Sequence, residues 1–131
     1  MKKIAILSVD DEKIILDSIK IQFENKYGSK YIYEFAESAE EALEVIEGLT
    51  QEEIKLLLVI SDYLMPGMKG DEFVKTLKLK FPNINIVMLT GQITNEISSD
   101  LIEKNIIHKL IEKPWKENEL FAIVDSIQEY E

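Results

Sequence analysis

The sequence predicts an α/β fold, a doubly wound five-stranded parallel sheet, on three observations. Five short apolar runs alternate along the chain with five segments of helical period, the pattern of βα units joined by right-handed crossovers. The run Leu56-Leu57-Leu58-Val59-Ile60 is apolar without a break and too short for a helix, as a strand covered on both faces must be. Polar or charged groups stand at the carboxyl ends of four of the five runs: Asp10-Asp11, Asp62, Thr90 and Lys113.

The first strand is expected over Lys3 to Val9. Asp10-Asp11-Glu12 follow, acids suited to the first turn of a helix from about Glu12 to Tyr27. Along that helix Ile15, Leu16, Ile19 and Phe23 share one sector, the expected core face, while Ile14 and Ile21 lie on the far side. Tyr31 to Ala36 reads as the second strand. Ser38 caps the next helix in the box Ser38-Ala39-Glu40-Glu41, and that helix is expected to run to about Gly48. Leu49 to Lys55 reads as a polar connection into the central strand, which ends at Asp62.

Pro66-Gly67 forbids a helix directly after that strand and forces a loop. Gly70 precedes a third helix, Asp71 to Phe81, stopped by Pro82-Asn83. Ile84 to Leu89 is the fourth strand, with Thr90-Gly91 at its end. Thr94 or Asn95 caps a fourth helix to about Lys104. Ile106 to Ile111 is the fifth strand, closed by Glu112-Lys113-Pro114, and Asn118 to Tyr130 is the last helix. His108, the single histidine, falls in the fifth strand, where a partly buried ring is expected rather than a phosphodonor. Trp115 is expected to anchor the start of the last helix.

Composition narrows the function classes. Residues 1–131 are expected to form a single domain, long enough for a real core. An apolar fraction of 46% with 31% charged residues excludes disorder. No apolar run approaches the ~20 residues of a membrane span. Met1-Lys2-Lys3 faintly mimics a signal peptide, but the acids at 10–12 cut the apolar run short. The absence of cysteine removes disulfides and thiolate chemistry and fits a cytoplasmic location. A formal charge of −10 repels phosphate backbones, so direct nucleic-acid binding is not expected.

In open α/β sheets the carboxyl edge of the strands is where ligands bind. Three carboxylates converging there, Asp10, Asp11 and Asp62, repel one another unless a cation sits between them. Their hard oxygens suit Mg2+, which commonly takes one or two carboxylates with water and phosphate oxygens. Thr90 offers a hydroxyl and Lys113 a point charge, the groups needed to hold the oxygens of a phosphoryl group on Asp62. Singly, each has a plain explanation: a Thr or Lys at a strand end is usually solvated, and an Asp-Asp pair usually starts a helix. Their joint appearance in strand order singles out a site.

These residues resemble the receiver domains of two-component response regulators. The resemblance runs from Val9-Asp10-Asp11-Glu12 through Asp62-Tyr63-Leu64-Met65-Pro66-Gly67-Met68-Lys69-Gly70 and Leu89-Thr90-Gly91 to Lys113-Pro114-Trp115. It implies a flavodoxin-like fold with strand order 2-1-3-4-5. It implies that Asp62 is the phosphoacceptor, taking a phosphoryl group from a phosphohistidine on a sensor histidine kinase or histidine phosphotransfer protein to give an aspartyl phosphate. It implies that Asp11 and Asp62 ligate Mg2+ directly with the backbone carbonyl of Leu64, that Asp10 acts through water, and that Thr90 and Lys113 bind phosphoryl oxygens. A cis bond before Pro114 is implied as well.

The implied switch positions are Thr90 and Leu110, with signalling through the surface around strands four and five and helix four. Leu110 departs from the family, since many receivers carry Tyr or Phe there. A homodimer through helix four, strand five and the last helix is a further implication. Ile14, one turn from Asp10-Asp11, lies on the rim that a phosphohistidine-bearing helix must approach and is the candidate docking residue. No enzyme activity is expected beyond the chain's own aspartyl phosphorylation and dephosphorylation.

Two other classes use related chemistry. A haloacid-dehalogenase-type, Mg2+-dependent phosphatase also has an aspartyl nucleophile, but it needs a second acid two residues after it, where this chain has Leu64. A phosphorylation-independent docking module would have lost site residues, and here every one is present.

Overall fold

The computed structural model describes residues 3–65, 67–68, 70–91 and 106–129. Its strands are β1 (Ile4–Val9), β2 (Ile32–Ala36), β3 (Lys55–Asp62), β4 (Ile86–Thr90) and β5 (Lys109–Glu112). Its helices are α1 (Lys13–Tyr27), α2 (Ala39–Gln51), α3 (Gly70–Lys80) and the C-terminal α4 (Glu117–Glu129), with a short 3-10 turn at Gly28–Lys30. All strands are parallel, in the order 2-1-3-4-5. The expected helix from Thr94 or Asn95 to Lys104 lies outside the described residues.

The strand alternation divides the core in two. Leu7 and Val9 of β1, Val59 of β3 and Ile86 and Met88 of β4 point to one face, where α2 and α3 bring Ala42, Ile46, Phe73 and Leu77. Ile6, Ile60, Val87 and Leu89 point to the other, against Ile19 and Phe23 of α1 and Leu120 and Val124 of α4. Both faces of the sheet are therefore covered, which is why β3 needs no polar alternation. The β1–β3 register shifts between Ala5 and Ile6, so Ala5 pairs with Leu56 but Ile6 with Leu58. The shift lets Leu57 and Leu58, neighbours in sequence, join the same cluster.

Several boundaries differ from the sequence expectation; β4, for one, runs Ile86–Thr90 rather than Ile84 to Leu89, and three differences have a physical cause. First, α2 passes through Gly48 to Gln51, because Leu49 is buried and the Thr50 hydroxyl donates to the Ile46 carbonyl at 2.9 Å. The stretch read as a polar connection thus begins with a helical turn, which ends where Glu53 takes a φ of 59° and Ile54 N donates to Leu49 O at 2.9 Å. Second, β5 starts at Lys109, not Ile106. Ile107 is apolar because it belongs to the core, and His108, expected to be partly buried, is exposed just before the strand. Third, the first turn of α1 holds no acid. The acids precede it, and Asp10 Oδ1 accepts from Glu12 N at 2.9 Å.

Other readings hold. Leu16, Ile19 and Phe23 are the buried face of α1, Ile15 is half-buried against the same cluster, and Ile14 and Ile21 are exposed. Ser38 Oγ accepts from Glu41 N at 3.1 Å, capping α2. Trp115 packs against the α1–α4 cluster, and its Nε1 donates to Gln22 Oε1 at 3.0 Å. Among the described residues no helix is long and apolar enough to cross a membrane.

Candidate functional site

Each site residue sits where a parallel strand ends at the carboxyl edge. Val9 is paired with Ser61, so the residues that follow, Asp10 and Asp62, leave adjacent strands side by side. Asp10 is fixed from its other flank by its backbone N–H, which donates to Ala36 O of β2 at 3.1 Å. Asp62 pairs with Leu89 of β4, and Tyr63 N donates to Leu89 O at 2.9 Å. Thr90 pairs with Glu112 of β5, and Lys113 N donates to Thr90 O at 2.7 Å, which places Lys113 at the same edge.

The side chains converge. Oxygens of Asp10, Asp11 and Asp62 all lie within 4.8 Å of one another. Lys113 Nζ lies 2.9 Å from Asp10 Oδ2 and 3.2 Å from Asp62 Oδ1. Asp10 is 1% exposed and Asp62 5%, whereas Asp11 is open to solvent. Thr90 is buried at the end of β4. The Lys113–Pro114 peptide is cis. Leu64, two residues past Asp62, is 69% exposed, and Ile14 in the first turn of α1 is 71% exposed. Leu110 is half-buried against the α2–α3 core cluster.

Electrostatics follow from this crowding. Burial, and next the charge of Asp10, push the Asp62 pKa up. The charge and hydrogen bond of Lys113 and the Leu64 backbone N–H pull it partly back. For Lys113, burial alone would lower the pKa, but the hydrogen bond and charge of Asp10, with those of Asp62, outweigh it and hold the ammonium above its ordinary value. Among the described residues, three carboxylates thus cluster about one ammonium, which contacts Asp10 and Asp62. The remaining excess of negative charge and the hard oxygen donors suit a small divalent cation, with Asp11 on the solvent side.

The turn after β3 is held tightly. Gly70 N donates to Tyr63 O at 3.0 Å. A Cβ on Gly70 would meet Asp62 O and Tyr63 O at 2.5 Å, both backbone atoms that cannot swing aside. Met65 is buried in the core. Gly67 has a φ of 82°, and Met68 N donates to Glu40 Oε1 of α2 at 3.2 Å. In the sequence Glu40 reads only as part of a capping box; its contact with a residue 28 positions away has no local signature. A concavity of about 480 Å³, lined by Ile46, Leu49, Lys80, Phe81 and Ile84 among others, has no acid in its lining and is not part of this site.

Residues 6–125 match the family model of the response regulator receiver domain. The chain is 31% identical over 124 residues to the uncharacterized transcriptional regulatory protein YesN of Bacillus subtilis (strain 168), covering 93% of this chain and 32% of that protein. It is 39% identical over 92 residues to the transcriptional regulatory protein YvrH of the same organism, covering 70% of this chain and 35% of that one. The chain therefore spans about a third of the length of these relatives. It is also similar in structure to a response regulator receiver domain protein (CheY-like) from Methanospirillum hungatei JF-1, with a TM-score of 0.78 and 28% identity over the full length of both chains. The family match runs from β1 into α4 and takes in every strand end described above, and on that ground the chain belongs to the receiver domains of two-component response regulators.

Proposed function

We propose that Asp62 accepts a phosphoryl group from a phosphohistidine on a sensor histidine kinase or histidine phosphotransfer protein. The observation that carries this reading is the position of Lys113 Nζ, in contact with both Asp10 and Asp62 at the sheet edge. A carboxylate oxygen of Asp62 attacks phosphorus in line, the P–N bond to the donor imidazole breaks, and its electron pair returns to the ring nitrogen. Lys113 then exchanges its contact with Asp62 Oδ1 for a phosphoryl oxygen. Thr90, at the end of the neighbouring strand, supplies a hydroxyl to another oxygen.

Asp10, Asp11, Asp62 and the Leu64 carbonyl are the groups that would hold Mg2+. When bound, the ion supplies positive charge against the phosphoryl oxygens and relieves repulsion among the acids. Inward movement of Thr90, with Leu110 beside the core, would bias the surface of β4, β5 and the segment read as the fourth helix. That surface and α4 are the proposed homodimer face. Ile14 on α1 is the proposed docking contact for the phosphodonor protein. On this reading residues 1–131 work as one receiver domain in the cytoplasm, without direct contact to nucleic acid.

Incubation with acetyl phosphate and Mg2+ tests the assignment. Label is expected on Asp62 alone, and Asp62→Asn is expected to take up none. Uptake by Asp62→Asn at the wild-type rate would sink the assignment. Turnover of a generic phosphomonoester would point instead to a phosphatase.

A further inference from the structure

We propose that Glu40 is a positioning residue for the phosphoacceptor site. From the first turn of α2 its carboxylate holds the tip of the turn that follows Asp62, and so fixes the Leu64 backbone beside the Asp62 carboxylate. This deepens the reading of Asp62 as phosphoacceptor and rests on it.

The turn is fastened at three levels. At its base Gly70 N donates to Tyr63 O, and Tyr63 N to Leu89 O. In its middle the Met65 side chain is buried in the same core cluster as Phe73 and Ile46. At its tip Glu40 Oε1 accepts from Met68 N at 3.2 Å. The first two anchors are backbone bonds and core packing, common consequences of folding. The third is an exposed side chain on another element, and it is the one that sequence can vary without touching the core.

Two features tie Glu40 to that role. A Cβ on Gly67 would lie 3.3 Å from both Glu40 carboxylate oxygens, tighter than an ordinary contact, and Gly67 has a φ of 82° that side chains rarely adopt. Glycine therefore lets the turn's backbone come up against the carboxylate. Glu40 is itself well placed to stay put. Its helix starts at a Ser38 cap, Ala39 and Ala42 on either side of it are buried, and a carboxylate in the first turn is favoured by the helix dipole.

The consequence reaches Asp62 through Leu64. The Leu64 backbone N–H faces the Asp62 carboxylate two residues before it. Leu64 lies between the base and the tip of the turn, so releasing the tip widens the range of positions its N–H and C=O sample. A nucleophile and its oxygen-binding groups tolerate little such spread.

The test uses Glu40→Ala and Glu40→Gln, both at an exposed position; Gln keeps an acceptor of the same reach. In the unliganded protein, amide exchange at Met68 and Leu64 is expected to accelerate in Glu40→Ala by about three- to tenfold, the range for one surface hydrogen bond. Exchange in β1, β3 and β4 and the unfolding midpoint should stay near wild type, which a general structural defect would not allow. Affinity for beryllofluoride with Mg2+ should fall by a similar factor, and Glu40→Gln should recover most of both losses. Wild-type protection at Met68 and Leu64 in Glu40→Ala, or a loss that Gln fails to restore, would overturn the proposal. Failure of the wild-type chain to bind beryllofluoride would instead reject Asp62 as phosphoacceptor, while the exchange comparison still decides whether Glu40 holds the turn.

Discussion

Replacing Lys113 with Met removes the ammonium that touches both Asp10 and Asp62 while keeping a long apolar stem. At 2.9 and 3.2 Å, each contact is worth about 5 kcal/mol of direct attraction at an effective dielectric constant near 20. Most of that is offset by the several kcal/mol that each ion loses on leaving water. What remains after deletion is two buried carboxylates with no counter-charge, a loss of about 3 kcal/mol. Asp62 limits the loss by taking a proton, since burial and Asp10 already raise its pKa. The Lys113 ammonium is held above its ordinary value, so its contribution is complete at neutral pH and fades only in alkali, as pH rises through the folded pKa.

For a chain of this size the unfolding midpoint in EDTA should drop by about 10 °C. A second signature has the opposite sign. With the competing ammonium gone, the three acids should bind Mg2+ more tightly, by up to about tenfold, and added Mg2+ should restore more stability to the variant than to wild type. Thermal unfolding across a Mg2+ titration reads both effects. A variant as stable as wild type in EDTA, with unchanged Mg2+ affinity, would refute the view that Lys113 neutralises this site.

Three further outcomes follow from neighbouring residues. Leu64→Asn should speed loss of the aspartyl phosphate by roughly two- to tenfold, because an exposed Leu cannot orient the attacking water and an amide can; slower decay in the variant would contradict this. Ile14→Ser should slow transfer from the cognate kinase and leave acetyl phosphate labelling unchanged, and equal loss with both donors would show damage to the acid site instead. Tyr27 is pushed well above its ordinary 10.0, first by burial and then by its hydrogen bond to Asp125, so its contribution to stability is present below pH 10 and lost as pH rises beyond it; Tyr27→Phe should flatten the alkaline decline, and an unchanged slope would reject that role.

The parts of this fold legible in the sequence are those fixed by local pattern. The unbroken apolar run of β3, the period of α1 and the cap at Ser38 each follow from neighbours within a few residues, and the exposed positions of Ile14 and Ile21 follow from helix geometry alone. Tertiary context moved the remaining boundaries. Gly48 reads as a helix end until Leu49 is seen to need the core, and Ile106-Ile107 reads as strand until Ile107 is seen packed beside β4 without joining its ladder. The acids, Asp62 and Lys113 could be placed at one edge because strands that alternate with helices run parallel. The contact of Lys113 with two acids at once, and the hold of Glu40 on Met68, depend on side-chain reach between elements and leave no periodic trace.

Strand order explains why the cation at this edge is a lysine. In the order 2-1-3-4-5, β5 is separated from β3 by β4, about 10 Å at the usual strand spacing, and β1 lies one strand further on. Lys113 follows β5 and yet contacts Asp62 at the end of β3 and Asp10 after β1, residues 51 and 103 positions away. A compact charge on a long, flexible stem can make that span, whereas a short side chain cannot. The stem must cross the end of β4, where Thr90 stands. On the proposed chemistry, a phosphoryl group on Asp62 would therefore draw on Lys113 and Thr90 together. Both pull on the β4–β5 pair, in which Met88 faces Leu110 and Thr90 faces Glu112. On that proposal, change at the acids would be carried to the strands furthest from β2, with Leu110, half-buried against the core, in place of an aromatic ring swinging inward. Leu110→Ala should then weaken the response of the β4–β5 surface to beryllofluoride without changing how tightly the site binds it, and equal weakening of both would show that Leu110 only supports the site.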